Sequence, residues 1–198
     1  SVKVLREAAE IEPKDGELRA RLARGAVARG DLATAEQFLT ADIAGDDPEL
    51  LMIVAGIRLR GDAPDEGLAI IGRLVDQHPT YRDQIVALGL SVIEQGLERA
   101  FGAIRIVVDS MMATGDLMPA ALVLQEFVAR APDYLPALLR LVEISVDAGL
   151  ESIMYGAQAQ LADAYLTAGL AAEALFIAED LMAREPWEPS NVERLRRA

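Results

Sequence analysis

A chain of 198 residues with 52% apolar but only 5% aromatic side chains has enough material for one or two packed domains built mainly from Ala, Leu, Val and Ile. It contains no Cys and a single His, which excludes disulfides, cysteine nucleophiles and histidine metal clusters. Its net charge of −13 argues against nucleic acid as a partner, because sequence-independent phosphate binding needs clustered Lys and Arg.

Gly or Pro recurs along the chain at Pro13, Gly30, Pro48, Gly61, Pro79, Gly96, Gly115, Pro132, Gly149, Gly169 and Pro186. The stretches between them show apolar spacings of three and four, the helical period, and almost no alternation of period two. The elements predicted in chain order are helices over 2–11, 15–29, 32–44, 48–60, 64–77, 80–95, 98–114, 117–130, 134–148, 151–168, 171–184 and 190–197. Ser190 and Glu193 have the spacing of a capping box at the start of the last one. Trp187, just after Pro186, is expected to pack beneath that helix or to serve as a binding anchor. His78 ends a helix ahead of Pro79, where the dipole favours it.

Charge is unevenly spread. Residues 1–30 hold seven basic and five acidic side chains, whereas residues 31–80 hold three and ten. The acidic bulk favours solubility and would steer basic partners. Asp42, Asp46, Asp47 and Glu49 crowd one turn, but Gly45 does not sit where a calcium loop requires its glycine. The longest apolar block, Leu50 to Ile57, is too short to span a bilayer. No signal peptide is legible and the chain opens at Ser1 without Met, so a cytoplasmic location is expected, with a removed leader and the periplasm left open.

The segment 155–188 shows the clearest repeat. Leu161, Ala162 and Tyr165 fall on one face of a first helix, and Ala174, Ala178 and Leu181 on one face of a second. Gly169 permits the turn between them and Pro186 ends the pair. With this pattern the sequence resembles a tetratricopeptide-repeat protein. The unit at 101–134 matches through Val107, Val108, Met111, Gly115, Ala120, Leu124, Phe127 and Pro132. The unit from Gly16 matches through Leu22, Ala23, Ala26, Gly30, Ala35 and Leu39, but departs at Asp42. The unit from Asp47 matches through Ile53, Val54, Ile57, Gly61, Ile71, Leu74 and Pro79, with Gly67 at the small position. Residues 1–13 resemble the second helix of a preceding unit. The resemblance implies an all-α, right-handed α-α superhelix of about twelve helices in a single domain. Its units fall at about 16–46, 47–79, 80–132 and 133–186, with a capping helix at 190–197.

Two stretches break the two-helix rhythm. Leu97–Thr114 and Glu151–Ala168 each follow another first-type helix, and Gly96-Leu97-Glu98 with Phe101-Gly102-Ala103 aligns on Gly149-Leu150-Glu151 with Tyr155-Gly156-Ala157. A duplicated three-helix unit is therefore expected.

In the resembled family, first helices line a concave face that holds a peptide or partner helix. The positions so implied are Ala20, Arg21 and Arg24; Leu51, Met52, Ala55 and Leu59; Val86, Leu90 and Ile93; and Arg105 and Asp109. Their apolar centre points to an amphipathic helix, and Asp83 and Glu94 favour Lys or Arg on its flanks. The same stripe is equally what a core face looks like. The Lys and Asn clamp of the chaperone-tail-binding members is not expected, since Lys3, Lys14 and Asn191 do not fall on that groove. No phosphate loop, nucleophile elbow or isolated carboxylate pair appears. The expected function is therefore a non-catalytic protein-interaction scaffold without cofactor or metal and without direct membrane insertion. The alternative is a self-assembling module, a homo-oligomer, or part of a longer repeat protein.

Overall fold

The computed structural model describes residues 16–198 apart from 28 and 30. The expected helix at 2–11, Lys3, Lys14 and the partial unit at 1–13 lie outside the described residues. The described residues form helices and turns with no strand. In order these are α1 (Gly16–Val27), α2 (Leu32–Phe38), α3 (Ala41–Ala44), α4 (Pro48–Arg60), α5 (Pro64–Gln77), α6 (Arg82–Ser91), α7 (Leu97–Ala113), α8 (Leu117–Arg130), α9 (Leu135–Asp147), α10 (Glu151–Thr167), α11 (Ala171–Arg184) and α12 (Pro189–Arg197). Two compact units result, one ending at Leu88 and one running from Gly89 to Ala198.

The local sequence explains the helix ends. Asp47 caps α4, its carboxylate accepting from the backbone N–H groups of Glu49 at 3.0 Å and Leu50 at 3.2 Å, and Pro48 occupies the first turn, where a missing N–H is harmless. Pro64 opens α5 in the same way. The expected helix at 32–44 divides into α2 and α3. Leu39 is extended, and the Thr40 hydroxyl accepts from the Ile43 N–H at 3.4 Å, offering the backbone an alternative to a continuous helix. The expected helix at 80–95 is regular only over α6, with a 3-10 turn at Pro79–Tyr81 before it and another at Ile93–Gln95 after it. Gly96, with φ of 155°, then redirects the chain. The capping box at Ser190 and Glu193 does not form. The helix starts one residue earlier, at Pro189, and Glu188 is the cap, its carboxylate accepting from the Ser190 backbone N–H at 3.4 Å and also from the Ser190 hydroxyl at 2.9 Å.

In the first unit, α4 and α5 form a close antiparallel pair. Leu50, Leu51, Val54 and Leu59 pack with Ile71, Leu74 and Val75 in its core. Gly67 takes the expected small position: a Cβ there would meet the Leu59 nitrogen at 2.9 Å and the Ala55 carbonyl at 3.0 Å. Both neighbours are backbone and cannot swing aside. Gly67→Val should therefore separate the pair and cost about 1–3 kcal/mol, the range for overpacking. An unchanged urea midpoint would refute this close approach.

In the second unit each helix from α7 to α12 packs on the next. The expected duplication is visible as repeated contacts. Arg140 on α9 donates to Asp109 on α7 at 2.7 Å, and 54 positions later Arg194 on α12 donates to Asp163 on α10 at 3.0 Å, both across 31 residues. Likewise Glu126 pairs with Arg130 at 2.9 Å and Asp180 with Arg184 at 2.9 Å. Gly115 and Gly169 close equivalent turns with φ of 82° and 75°. By this offset α11 stands where α8 does, and α12 where α9 does.

Candidate functional site

The structure divides the residues expected to line a groove. Leu51, Ala55 and Leu59 are 0% exposed and Val86 is 8% exposed. They hold the core and are not available to a partner, which corrects the expected apolar centre. For the first three the physical reason is that α4 is flanked on several sides, with α2, α3 and α5 all packed against it, so the stripe through Leu51, Ala55 and Leu59 is enclosed. Met52, Leu90 and Ile93 are half-buried, and Arg21, Arg24, Arg105 and Asp109 are exposed. Ala20 is buried.

Two of the exposed charges already have partners. Arg24 pairs with Asp47, linking α1 to the start of α4. Burial pushes the Asp47 carboxyl up, but the Arg24 hydrogen bond and charge, with the Leu50 and Glu49 N–H groups, outweigh it and hold it below the usual range. This acidic turn is thus a cap and an ion pair. Asp109 accepts from Arg140, whose guanidinium is also hydrogen-bonded to Glu143 at 2.6 Å. Those two carboxylates, Glu143 first, raise Arg140 against the opposing effect of burial.

A recess in the second unit lies between the first half of α10 and the start of α12. It is open to solvent, has a volume of about 500 Å³ and is lined by Glu151, Ser152, Tyr155, Gly156, Ala159, Glu185, Glu188, Ser190, Asn191 and Arg194. Arg105 and Asp109, from the expected groove, correspond by the 54-residue offset to Ala159 and Asp163. Of these only Ala159 lines the recess, whose other residues are not among those expected to line a groove.

The internal repeat shows why a space exists there. In the earlier copy Phe101, Phe127 and Tyr134 fill the equivalent place, with ring centroids 5.6, 5.4 and 5.8 Å apart. Burial, and then the charge of Glu98, raise the Tyr134 hydroxyl pKa against the opposing charge of Arg105. In the later copy Tyr155, Leu181 and Glu188 replace the trio. Losing the Tyr134 ring empties the wedge between helices, and a carboxylate takes its position. Asn191 lines the space but is itself buried. Its amide donates to the Leu181 and Glu185 carbonyls at 3.4 and 3.3 Å, satisfying the end of α11. Arg184, bonded to Asp180 and then Tyr155, is raised above its usual value.

The remaining candidates are quickly placed. His78 ends α5 as expected and stands edge-on to Tyr81 at 6.3 Å. Trp187 does not pack beneath α12. It is 73% exposed, and Phe176 on α11 is 76% exposed. Among the described residues no cluster of His, Asp or Glu is placed to hold a metal ion. No described helix is long and apolar enough to cross a membrane.

Each of the pairs α4–α5, α7–α8 and α10–α11 brings small buried residues to the helix contact, turns tightly and ends before Pro. The fold is a tetratricopeptide-like helical repeat. No family model and no curated protein matches the chain. Among solved structures, PilW, a widely conserved type IV pilus biogenesis factor, is 17% identical over 96% of this chain and 87% of its own, with a TM-score of 0.33. A human IFIT1 dimer with PPP-AAAA is 16% identical over 98% of this chain and 47% of its own, at 0.33. The P58(IPK) TPR domain is 14% identical over 98% and 58%, at 0.32. The chain thus spans about half the length of the last two. TM-scores this low add nothing to what the chain's own helix pairs establish.

Proposed function

We propose that this tetratricopeptide-like repeat is a non-catalytic interaction scaffold and that its second unit grips a basic, amphipathic protein segment. The observation that carries this reading is the recess between α10 and α12, formed where the earlier copy is closed by Tyr134. At about 500 Å³ it has room for more than one side chain of a partner segment. Tyr155 offers an apolar wall, and Glu151, Glu185 and Glu188 favour a Lys or Arg at its tip. The same carboxylates disfavour a phosphate backbone. The expected centre of binding thus moves from α4 and α6 to α10 and α12. A partner in an extended or helical form would add contacts along the exposed row through Arg105.

Glu188→Tyr tests this directly, since it restores the residue of the earlier copy. The ring should occupy part of the recess. Because Glu188 also caps α12, the melting temperature should fall modestly, by what the loss of a cap of about 1 kcal/mol gives, with the helical signal retained. A panel of labelled peptides with Lys and Arg flanking an apolar stripe serves as the probe. A peptide that binds the wild type saturably should weaken about tenfold or more, as expected when a buried anchor is excluded. Equal binding by the variant would remove the recess from the function.

A further inference from the structure

The aromatic ring at the recess has lost the neighbours that its counterpart keeps. By the 54-residue offset Tyr155 stands for Phe101, Leu181 for Phe127 and Glu188 for Tyr134. Phe101 is buried, with the Phe127 ring at 5.6 Å and the Tyr134 ring edge-on at 5.4 Å. Tyr155 is half-buried and lines an open space, and among the described residues no other ring packs on it. Its hydroxyl, which Phe101 lacks, accepts from the Arg184 guanidinium. That bond ties the side chain to α11 in place of the lost ring contacts.

Charge around this ring is one-sided. Glu151, Glu185 and Glu188 line the recess with Tyr155, and among the described residues no cation pairs with any of the three. The cations close by are engaged elsewhere. Arg194, which also lines the recess, donates to Asp163 at 3.0 Å, to the Ser190 hydroxyl at 3.1 Å and to the Asn191 carbonyl at 3.2 Å. Arg184 donates to Asp180 at 2.9 Å. The place that a flat ring takes in the earlier copy is thus bordered here by an uncovered ring and by unmatched carboxylates.

We infer that the recess selects arginine over lysine as the anchor of the basic segment it holds. This rests on the reading of the recess as the partner site. A guanidinium is flat, as the Tyr134 ring is, and weakly hydrated, so it gives up little on leaving water to lie against an aromatic ring. Its fork of N–H donors bonds to carboxylates from the same position. A lysine ammonium is a compact, strongly hydrated charge, and it gains from the carboxylates while gaining little from the ring. Glu151, Glu185 and Glu188 therefore attract either cation, and Tyr155 tells them apart.

The probes are matched pairs of labelled peptides, one apolar helical stripe flanked in one member by Arg and in the other by Lys. They are added to the whole chain and followed by fluorescence anisotropy. The Arg member should bind about tenfold tighter, within what a desolvated contact between cation and ring supplies. Tyr155→Leu should remove most of that ratio, weakening the Arg member and leaving the Lys member within about twofold. Tyr155→Phe keeps the ring and should keep the ratio. The ratio is the readout because a merely structural role for Tyr155 would weaken both members alike. Equal binding of the pair by the wild type, or a ratio that Tyr155→Leu leaves intact, overturns the selectivity. If Glu188→Tyr still weakens both members, the recess nevertheless stands as the site. Peptides that bind regardless of Glu188→Tyr, or that do not bind at all, remove the recess and its selectivity together. N-acetyl-arginine amide binding as tightly as the Arg peptide would make the ligand a small guanidinium compound and overturn a protein segment as the occupant.

Discussion

Leu51→Asp is expected to abolish cooperative folding of the unit ending at Leu88. Leu51 is 0% exposed near the start of α4, in a core that also holds Leu50, Val54 and Leu59 and, from α5, Ile71 and Leu74. An ionised carboxylate there loses its hydration inside an apolar layer, and a protonated one still leaves polar atoms to satisfy. The methyl groups it replaces also leave a gap. Their sum belongs to the rare class of substitutions costing more than about 4–5 kcal/mol, comparable to the whole stability of a small domain. The helical signal in circular dichroism should fall and its remaining melt should broaden. Arg21→Asp, on the exposed face of α1, is the control and should change stability by no more than about 0.5 kcal/mol. A Leu51→Asp chain that melts like the wild type would return this side chain to the surface and restore the groove expected from the repeat pattern.

Phe127→Ala should be nearly as damaging in the second unit. Phe127 is fully buried on α8 and touches both Phe101 of α7 and Tyr134 at the start of α9. Three helices therefore meet on one ring. Truncation removes its apolar burial and opens a cavity, at about 3–5 kcal/mol for Phe→Ala. Each lost aromatic pair adds about 0.5–1.5 kcal/mol to what area alone gives. The urea midpoint should fall steeply with the slope preserved, since the same surface is exposed on unfolding. A loss below about 1 kcal/mol, the typical cost of an arbitrary substitution, would show that the trio is not the anchor of this unit. The contrast with the next repeat is informative. There Tyr155, Leu181 and Glu188 occupy the same positions, and rigid packing gives way to an open recess.

The sequence by itself determined what depends on neighbouring residues along the chain. Helix periods, the turns at Gly115, Gly149 and Gly169, the small position at Gly67 and the 54-residue echo are all local or periodic features, set by backbone freedom and by the spacing of side chains on a helix. Local signals also misled where two compete over a few atoms, as at Thr40, where a hydroxyl splits a helix, and at Pro189, which starts α12 before the expected cap. Only the tertiary structure decided which apolar stripe is core and which is surface. Leu51 and Leu59 have the pattern of a binding face, yet helices on several sides of α4 enclose them, and enclosure is a property of the neighbours rather than of the stripe. The recess has the same character. The change from Tyr134 to Glu188 is written in the sequence, but its meaning is not, because a missing ring makes a site only where the surrounding helices are held apart around the space it would fill.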